Sequence, residues 1–166
     1  GCLIARLAGR LPGCVVQLLD VDAGKATVAA SLGVRFATPD QAAAEQDVVI
    51  HASGAPAGLA VALRLAGFEA TVVEASWFGA RPVSLPLGED FHAKRLRIHG
   101  SQVGRIATAH RSRCNYRRRM ATVMELLDDP IIKPRTRADA ADGRTGAAHP
   151  FGYNRYHRQV DFAATH

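Results

Sequence analysis

Apolar and polar residues alternate along this chain in short blocks that predict strands and helices in turn. Runs rich in apolar and β-branched residues predict strands at 14–20, 34–37, 47–52, 71–74 and 96–100. Helical periodicity predicts helices at the start of the chain and at 23–32, 40–46, 57–66 and 112–127. The run at 47–52 is nearly all apolar, as a buried parallel strand should be. This order of elements predicts an α/β fold with a mostly parallel sheet.

Length and composition narrow the class of protein. The chain has 166 residues and 48% hydrophobic residues, which suits one globular domain. It contains no window of about twenty uncharged apolar residues, so no membrane span is expected. The start has neither Met nor a basic segment typical of a signal peptide. The cysteines, Cys2, Cys14 and Cys114, lack metal-ligand spacing, and we interpret them as incidental thiols of a cytoplasmic protein.

Charge is distributed unevenly. Residues 1–90 carry a net charge of −3 and residues 91–166 a net charge of +9. Beyond Pro130 the sequence is rich in Arg, Ala, Thr, Asp, Gly and His and shows little apolar periodicity. We therefore divide the chain into a domain at 1–130 and a basic tail of low order at 131–166. A native tail and sequence from another reading frame both fit this composition.

Asp20 is the first residue with a specific chemical interpretation. It ends the first apolar strand, and a helical segment that contains Lys25 and closes at Gly33 follows. In dinucleotide-binding folds an acid at this place lies beside the adenosine ribose. Gly1 precedes Asp20 by nineteen residues, about the separation between the last glycine of G-x-G-x-x-G and its acid. We expect that the chain begins inside this fingerprint; the alternative is that Asp20 is a solvated turn or a helix cap.

Four segments in order resemble the coenzyme-binding half of the medium-chain, zinc-type alcohol dehydrogenase superfamily. The segments are 1–33, Asp47-Val-Val-Ile-His-Ala-Ser-Gly54, Thr71-Val-Val-Glu-Ala-Ser76 and Leu96-Arg-Ile-His-Gly-Ser-Gln-Val-Gly104. The resemblance covers roughly residues 1–127. It implies a Rossmann-type, doubly wound parallel sheet that is truncated at the N-terminus, because the first and central strand is missing. The domain at 1–130 would then be a partial NAD-binding domain.

The resemblance also implies cofactor-binding residues. They are Gly1, Asp20, Lys25, Ser53, Gly54, Glu74, Ala75 and Ser101. Asp20 would accept both hydroxyls of the adenosine ribose, with Lys25 near the same ribose. Ser53 and Gly54 would border the cofactor, and the last three residues would line its nicotinamide side. Because a carboxylate repels a 2′-phosphate, Asp20 favours NAD over NADP.

The function implied is hydride transfer between an alcohol and NAD, with a zinc ion polarising the oxygen in the parent enzyme. The parent is expected to be a homo-oligomer that acts on a small-molecule alcohol. We assign no catalytic residue and no metal ligand to this chain, because the catalytic domain is absent from it. The chain itself is expected to be inactive, and the identity of the alcohol stays open.

Two other functions are considered. A nucleic-acid-binding α/β protein would neutralise phosphates with the basic tail and a basic helix, and Tyr116 would stack on a base. The arginines of that helical region are Arg111, Arg113, Arg117, Arg118 and Arg119. The commoner interpretation of such a run is a solvated helix face. A short-chain dehydrogenase would need a Tyr-x-x-x-Lys pair, which the sequence lacks. We interpret His51 and His99 as strand residues that face a helix or solvent.

The missing central strand predicts instability. Without it, the strands at 14–20 and 47–52 each leave backbone donors and acceptors unpaired, at about 1–3 kcal/mol per buried group. Two arrangements would close the gap: the two strands pair directly, or a tail segment such as 159–163 enters between them. The tail has too little apolar content for us to favour that insertion. We therefore expect the isolated chain to be unstable or to aggregate, and to bind NADH weakly or not at all.

Overall fold

The structure is a computed structural model that describes residues 1–132 and the backbone of residues 161–165. The described helices are α1 (Cys2–Ala8), α2 (Ala26–Leu32), α3 (Pro56–Leu65), α4 (Asp90–Ala93) and α5 (Tyr116–Leu127). The described strands are β1 (Val15–Leu19), β2 (Arg35–Ala37), β3 (Gln46–His51), β4 (Ala66–Glu74), β5 (Arg97–Gly100) and β6 (Asp161–Thr165). Short 3₁₀ helices span Ala23–Lys25 and Thr108–His110. The elements form two compact units, one containing residues 1–101 with β6, the other described at 102–132.

One sheet organises the first unit. Its strand order is β2-β1-β6-β3-β4-β5. The pairs β1–β2, β3–β4 and β4–β5 are parallel. The connections from β1 to β2 and from β3 to β4 run in opposite directions across the sheet, and right-handed crossovers then put α2 and α3 on opposite faces. This is the doubly wound α/β arrangement of Rossmann type, so the predicted fold class is confirmed.

The centre of the sheet differs from the sequence-based expectation. Strand β6 lies between β1 and β3 and is antiparallel to both, with Leu19 opposite Asp161 and Val49 opposite Ala163. Our preference against insertion of a tail segment was therefore wrong. The physical reason is that two flanking strands offer backbone donors and acceptors to any extended segment, whatever its apolar content. Instability of the isolated chain was predicted because β1 and β3 would leave backbone groups unpaired. Since β6 fills the space between these strands, that reason no longer holds.

Local predictions also needed correction. No helix forms at 40–46; the segment is a turn and loop whose Ala43 N–H donates to the side chain of Gln17 at 3.0 Å. A seven-residue Ala-rich segment is too short to be a stable helix without an apolar face to bury. Strand β4 begins at Ala66, directly after α3. Ala66 already pairs with Gln46 of β3, and the strand bulges before Thr71 pairs with Val48. Helix α5 begins after Asn115, whose side chain accepts from the Arg118 N–H at 2.9 Å.

The core of the first unit lies between the sheet and α3. Leu19, Val49 and Val72 from three strands pack in the same cluster as Leu59 and Leu63 of the helix, and all are at most 4% exposed. Burying each such side chain contributes about 1.5–3 kcal/mol. This packing holds the carboxyl ends of the parallel strands in fixed positions, and the candidate site lies at those ends.

Candidate functional site

Asp20 follows the last residue of β1 and is 3% exposed. Its Oδ1 accepts a hydrogen bond from the Asp22 N–H at 2.9 Å. Its Oδ2 is buried and has no hydrogen-bond partner among the described residues. Burying a carboxylate oxygen without a hydrogen-bond donor costs free energy, and a donor that reached Oδ2 of Asp20 would remove this cost.

The electrostatic surroundings of Asp20 act in two directions. Burial raises the pKa of Asp20 above its ordinary value, and the Asp22 N–H and the positive charge of Lys25 oppose this rise. Lys25 is half-buried in the 3₁₀ helix Ala23–Lys25, which begins where Asp22 accepts from the Gly24 N–H at 2.9 Å. Asp20 and Lys25 thus lie close enough for the charge of Lys25 to act on the carboxylate.

A cavity of about 400 Å³ opens beside Asp20. Three segments line it: the end of β1 at 19–21, the loop at 38–40, and the first turns of α3 at Ala57, Gly58 and Val61. Its walls are mixed, with apolar side chains from β1 and α3 and the carboxylates of Asp20 and Asp40. This size and composition are typical of small-molecule sites, which span about 300–1,000 Å³.

A second polar cluster lies at the carboxyl ends of β3 and β4. His51, the last residue of β3, is fully buried. Its Nδ1 lies 2.6 Å from Oε2 of Glu74, and its Nε2 lies 2.6 Å from Oγ of Ser53. The imidazole also stacks against the ring of Phe78, with 5.9 Å between centroids. Ser53 and Glu74 were expected to border a cofactor, and the structure shows both hydrogen-bonded to His51.

Glu74 forms hydrogen bonds with Ser76 as well as with His51. Its Oε1 accepts from the Ser76 N–H at 2.7 Å and from the Ser76 hydroxyl. Burial alone would raise the pKa of Glu74, but the hydrogen bonds from His51 and Ser76 outweigh it and hold the pKa below its ordinary value. The carboxylate is therefore ionised and oriented toward the imidazole at neutral pH.

The turn from β3 to α3 carries Ser53 and Gly54. Gly54 has a φ of +69°, which favours glycine, and Pro56 begins the helix. The Ser53 hydroxyl accepts from the Ala55 N–H at 3.1 Å. Ser53 is 7% exposed, and its hydroxyl contacts both this turn and His51.

Backbone hydrogen bonds join the ends of neighbouring strands. The Ala75 N–H donates to the His51 carbonyl at 2.8 Å, and the Ser101 N–H donates to the Glu74 carbonyl at 2.7 Å. Ser53, Gly54, Glu74, Ala75 and Ser101 are thus grouped at the ends of β3, β4 and β5. Asp20 and Lys25 form a separate group at the end of β1. Gly1 belongs to neither: it is exposed and precedes α1.

His51 is the residue whose environment the sequence interpretation missed. It was expected to face a helix or solvent, whereas the structure buries it between Glu74 and Ser53. A usable signal was present, since residues 51 and 53 share one side of an extended chain and Glu74 ends the next parallel strand. Within the described residues no group of three or more His, Cys, Asp or Glu side chains is arranged to hold a metal. None of the described helices is long and apolar enough to cross a membrane.

The basic helix of the second unit mostly binds its own segment. Arg119 donates to the Val103 carbonyl at 2.7 Å and lies over the Tyr116 ring, 5.1 Å from its centroid. Arg118 donates to the Arg113 carbonyl at 2.7 Å. These guanidinium groups brace the loop that precedes α5.

Comparison with known proteins adds little to this description. No protein-family model and no curated protein sequence matches the chain. A crystal structure of a protein assigned as a zinc-binding dehydrogenase (gutB) from Clostridium scindens is similar to it, with 21% identity and a TM-score of 0.44. The similarity covers 51% of this chain and 28% of the dehydrogenase. A likeness at this identity and TM-score carries no argument about function.

Proposed function

We propose that the cavity beside Asp20 binds the adenosine part of NAD, and that the chain is the cofactor-binding part of an NAD-dependent dehydrogenase of the zinc-type class. The observation that carries this proposal is the unpartnered, buried Oδ2 of Asp20 in the wall of the cavity. Ribose hydroxyls are hydrogen-bond donors of the kind that this oxygen lacks. A single carboxylate accepts two of them, and it repels a 2′-phosphate.

The surroundings of Asp20 fit the rest of an adenosine group. Leu19 and Val61 supply apolar surface for a base, and the positive charge of Lys25 lies close enough to act on the carboxylate. The cavity lies at the carboxyl end of β1, and ligands of open α/β sheets bind at that edge. These features together support a nucleoside in preference to an apolar ligand.

The remaining part of the cofactor would follow the same edge of the sheet. Ser53, Gly54, Glu74, Ala75 and Ser101 are grouped at the ends of β3, β4 and β5, and we assign them to its border. NAD would supply the hydride acceptor when bound, and this chain's residues would hold and orient it. No residue of this chain is assigned to proton transfer from the alcohol, and zinc would belong to the proposed whole enzyme.

The test is a binding titration of the 166-residue chain with NADH and with NADPH, followed by nicotinamide fluorescence. NADH should bind more tightly than NADPH. Asp20→Asn should weaken NADH binding by about 1–3 kcal/mol, because a charged acceptor is removed. Asp40→Asn is the matched control, since Asp40 lines the same cavity but is exposed. Equal affinities for NADH and NADPH, or equal losses in the two variants, would contradict the proposal.

Nucleic-acid binding is the weaker candidate. Arg118 and Arg119 donate hydrogen bonds to carbonyls of their own segment, and Arg119 lies over the ring of Tyr116. These contacts favour a structural role for the side chains. Nucleic-acid affinity that falls steeply with salt and is unaffected by NADH would support this candidate instead.

A further inference from the structure

Three side chains at the ends of β3 and β4 form a continuous hydrogen-bonded line, which we name the His51 relay: Glu74, His51 and Ser53. The two links, Glu74 Oε2 to Nδ1 and Nε2 to Ser53 Oγ, are both 2.6 Å long. An ionised carboxylate only accepts hydrogen bonds, so Nδ1 carries a proton. In the neutral imidazole, the form that the proposed activity requires, Nε2 is then the acceptor and the Ser53 hydroxyl donates a hydrogen bond to it.

This order of groups is the arrangement that activates a serine nucleophile: a hydroxyl, a base within hydrogen-bond reach, and a third group that orients the base. We propose that Ser53 is a base-activated nucleophile that takes the acyl group of small, activated esters. His51 acts as its general base, and Glu74 is a positioning residue that fixes the tautomer of His51. This activity needs no nicotinamide cofactor and stands independently of the proposed function.

The local chain supports the nucleophilic role of Ser53. The residue lies on a sharp strand-to-helix turn, between the end of β3 and the start of α3, with Gly54 at a φ of +69°. Nucleophilic serines of α/β folds also occupy a turn between a strand and a helix, but in this turn the positive φ belongs to Gly54 and not to the serine. The Ala55 N–H donates to Ser53 Oγ at 3.1 Å and so fixes that oxygen beside Nε2 of His51.

Access limits the size of the acyl donor. Ser53 is 7% exposed and His51 is fully buried, whereas Gly54, Ala55 and Ser76 beside them are partly exposed. A Cβ on Gly54 would meet nothing closer than Ser76 and Trp77 at 4.0 Å, so the approach over this glycine is open. Because so little of Ser53 is exposed, we expect esters of short acids such as acetate to react and esters of long-chain acids to be excluded.

The chemical step balances without an external oxidant or reductant. The Ser53 Oγ forms a bond to the acyl carbon, and the bond from that carbon to the leaving alcohol oxygen breaks. The Ser53 proton passes to Nε2 of His51 and then to the leaving oxygen. Water then attacks the acyl-serine, with His51 again taking the proton, and this attack releases the carboxylic acid and restores Ser53.

The test uses p-nitrophenyl acetate on the full chain without cofactor, with release of p-nitrophenol measured and acetylated residues mapped by peptide mass spectrometry. Acetylation should occur at Ser53 faster than at Ser84, which is exposed but lies outside the relay. His51→Asn should slow the Ser53 reaction by about 100-fold or more, the usual contribution of a general base. Glu74→Gln should also slow it, and Glu74→Asp should restore part of the rate.

Several outcomes would overturn the proposal. They are an unmodified Ser53 in a chain with a cooperative thermal transition, an adduct at Ser76 in place of Ser53, and a His51→Asn rate equal to that of the parent chain. If His51→Asn fails to fold, Ser53→Cys decides the matter. The new thiol should react with iodoacetamide faster than Cys114 if the relay activates it, and no faster if it does not.

Discussion

At the scale of single residues, Asp20 combines a cost in stability with the binding role that we propose for it. Its Oδ2 is buried without a donor, and burial raises its pKa. Such a group destabilises the ligand-free fold and gains its hydrogen bond only when a ligand supplies the donor. Binding sites commonly carry this kind of local strain.

This leads to a prediction about stability and pH. Because the folded state raises the pKa of Asp20, it prefers the protonated carboxyl, and the contribution of Asp20 to stability is lost as the pH rises through the folded-state pKa. Asp20→Asn should therefore raise the free energy of unfolding at neutral pH, by on the order of 1 kcal/mol. The difference should vanish below the ordinary pKa of aspartic acid, where both states are protonated.

Urea unfolding at several pH values measures this effect. Asp40→Asn, at an exposed position of the same cavity, should change the free energy of unfolding by less than about 0.5 kcal/mol. A destabilised Asp20→Asn at neutral pH would show that Oδ2 has a donor in solution. Stabilisation together with weaker NADH binding would separate the two roles of the residue.

The residue scale also shows what the sequence could reveal. Asp20, Lys25 and Gly33 are related by local spacing, so their arrangement was predictable from the chain alone. The cavity beside Asp20 was not, because residues 38–40 and the start of α3 reach it only through the folded sheet. His51 was missed because its partners, although suggested by strand periodicity, depend on which strand lies beside β3.

At the scale of elements, the sequence predicted strands correctly where their residues form an apolar run. It failed where pairing with a neighbouring strand determines which residues are extended. Strands β1 and β3 were located to within a residue or two from their apolar runs. The start of β4 was placed five residues late, because residues 66–70 follow α3 without a turn and bulge against β3. Strand β6 overlaps the tail segment at 159–163, whose insertion was considered but not favoured, because its partners are more than a hundred residues away in the sequence.

Strand β5 leads to a prediction about association. It pairs with β4 on one side, all four of its residues are exposed, and it is the last strand of the described sheet. An exposed edge of this kind is a template for pairing with another chain. We expect the protein to form homo-oligomers through β5, and sedimentation velocity at micromolar concentration should show species larger than the monomer.

Ile98→Lys should reduce this association, because an edge lysine opposes pairing between strands. Val103→Lys is the matched control: Val103 is apolar and 82% exposed but lies outside β5. A monomeric parent chain, or an equal effect of the two lysines, would count against the edge as the interface.

At the scale of the whole molecule, β6 is the element that makes the sheet continuous. It hydrogen-bonds to β1 on one side and to β3 on the other, and so joins the two parallel halves. Ala163 lies opposite Gln17 and Val49 at the middle of this strand. In a central strand the N–H of every residue is needed by one neighbour or the other.

Ala163→Pro should therefore destabilise the chain severely, since proline removes a ladder donor and fits poorly in a central strand. We expect a loss of about 3 kcal/mol or more, or loss of the cooperative thermal transition measured by circular dichroism. Ala148→Pro, outside the described residues, is the control for a proline elsewhere in the tail. Equal melting of the two variants would show that β6 does not occupy the centre of the sheet in solution.

The position of β6 also constrains when the protein can fold during synthesis. Strands β1 and β3 leave the ribosome early, but the segment that joins them is translated more than a hundred residues later. Closing a loop of that length costs about 4 kcal/mol in chain entropy, and contacts of such high order form slowly. The nascent chain must therefore carry two unsatisfied strand edges until residue 165 has emerged, and during that interval those edges are exposed to pairing with other chains.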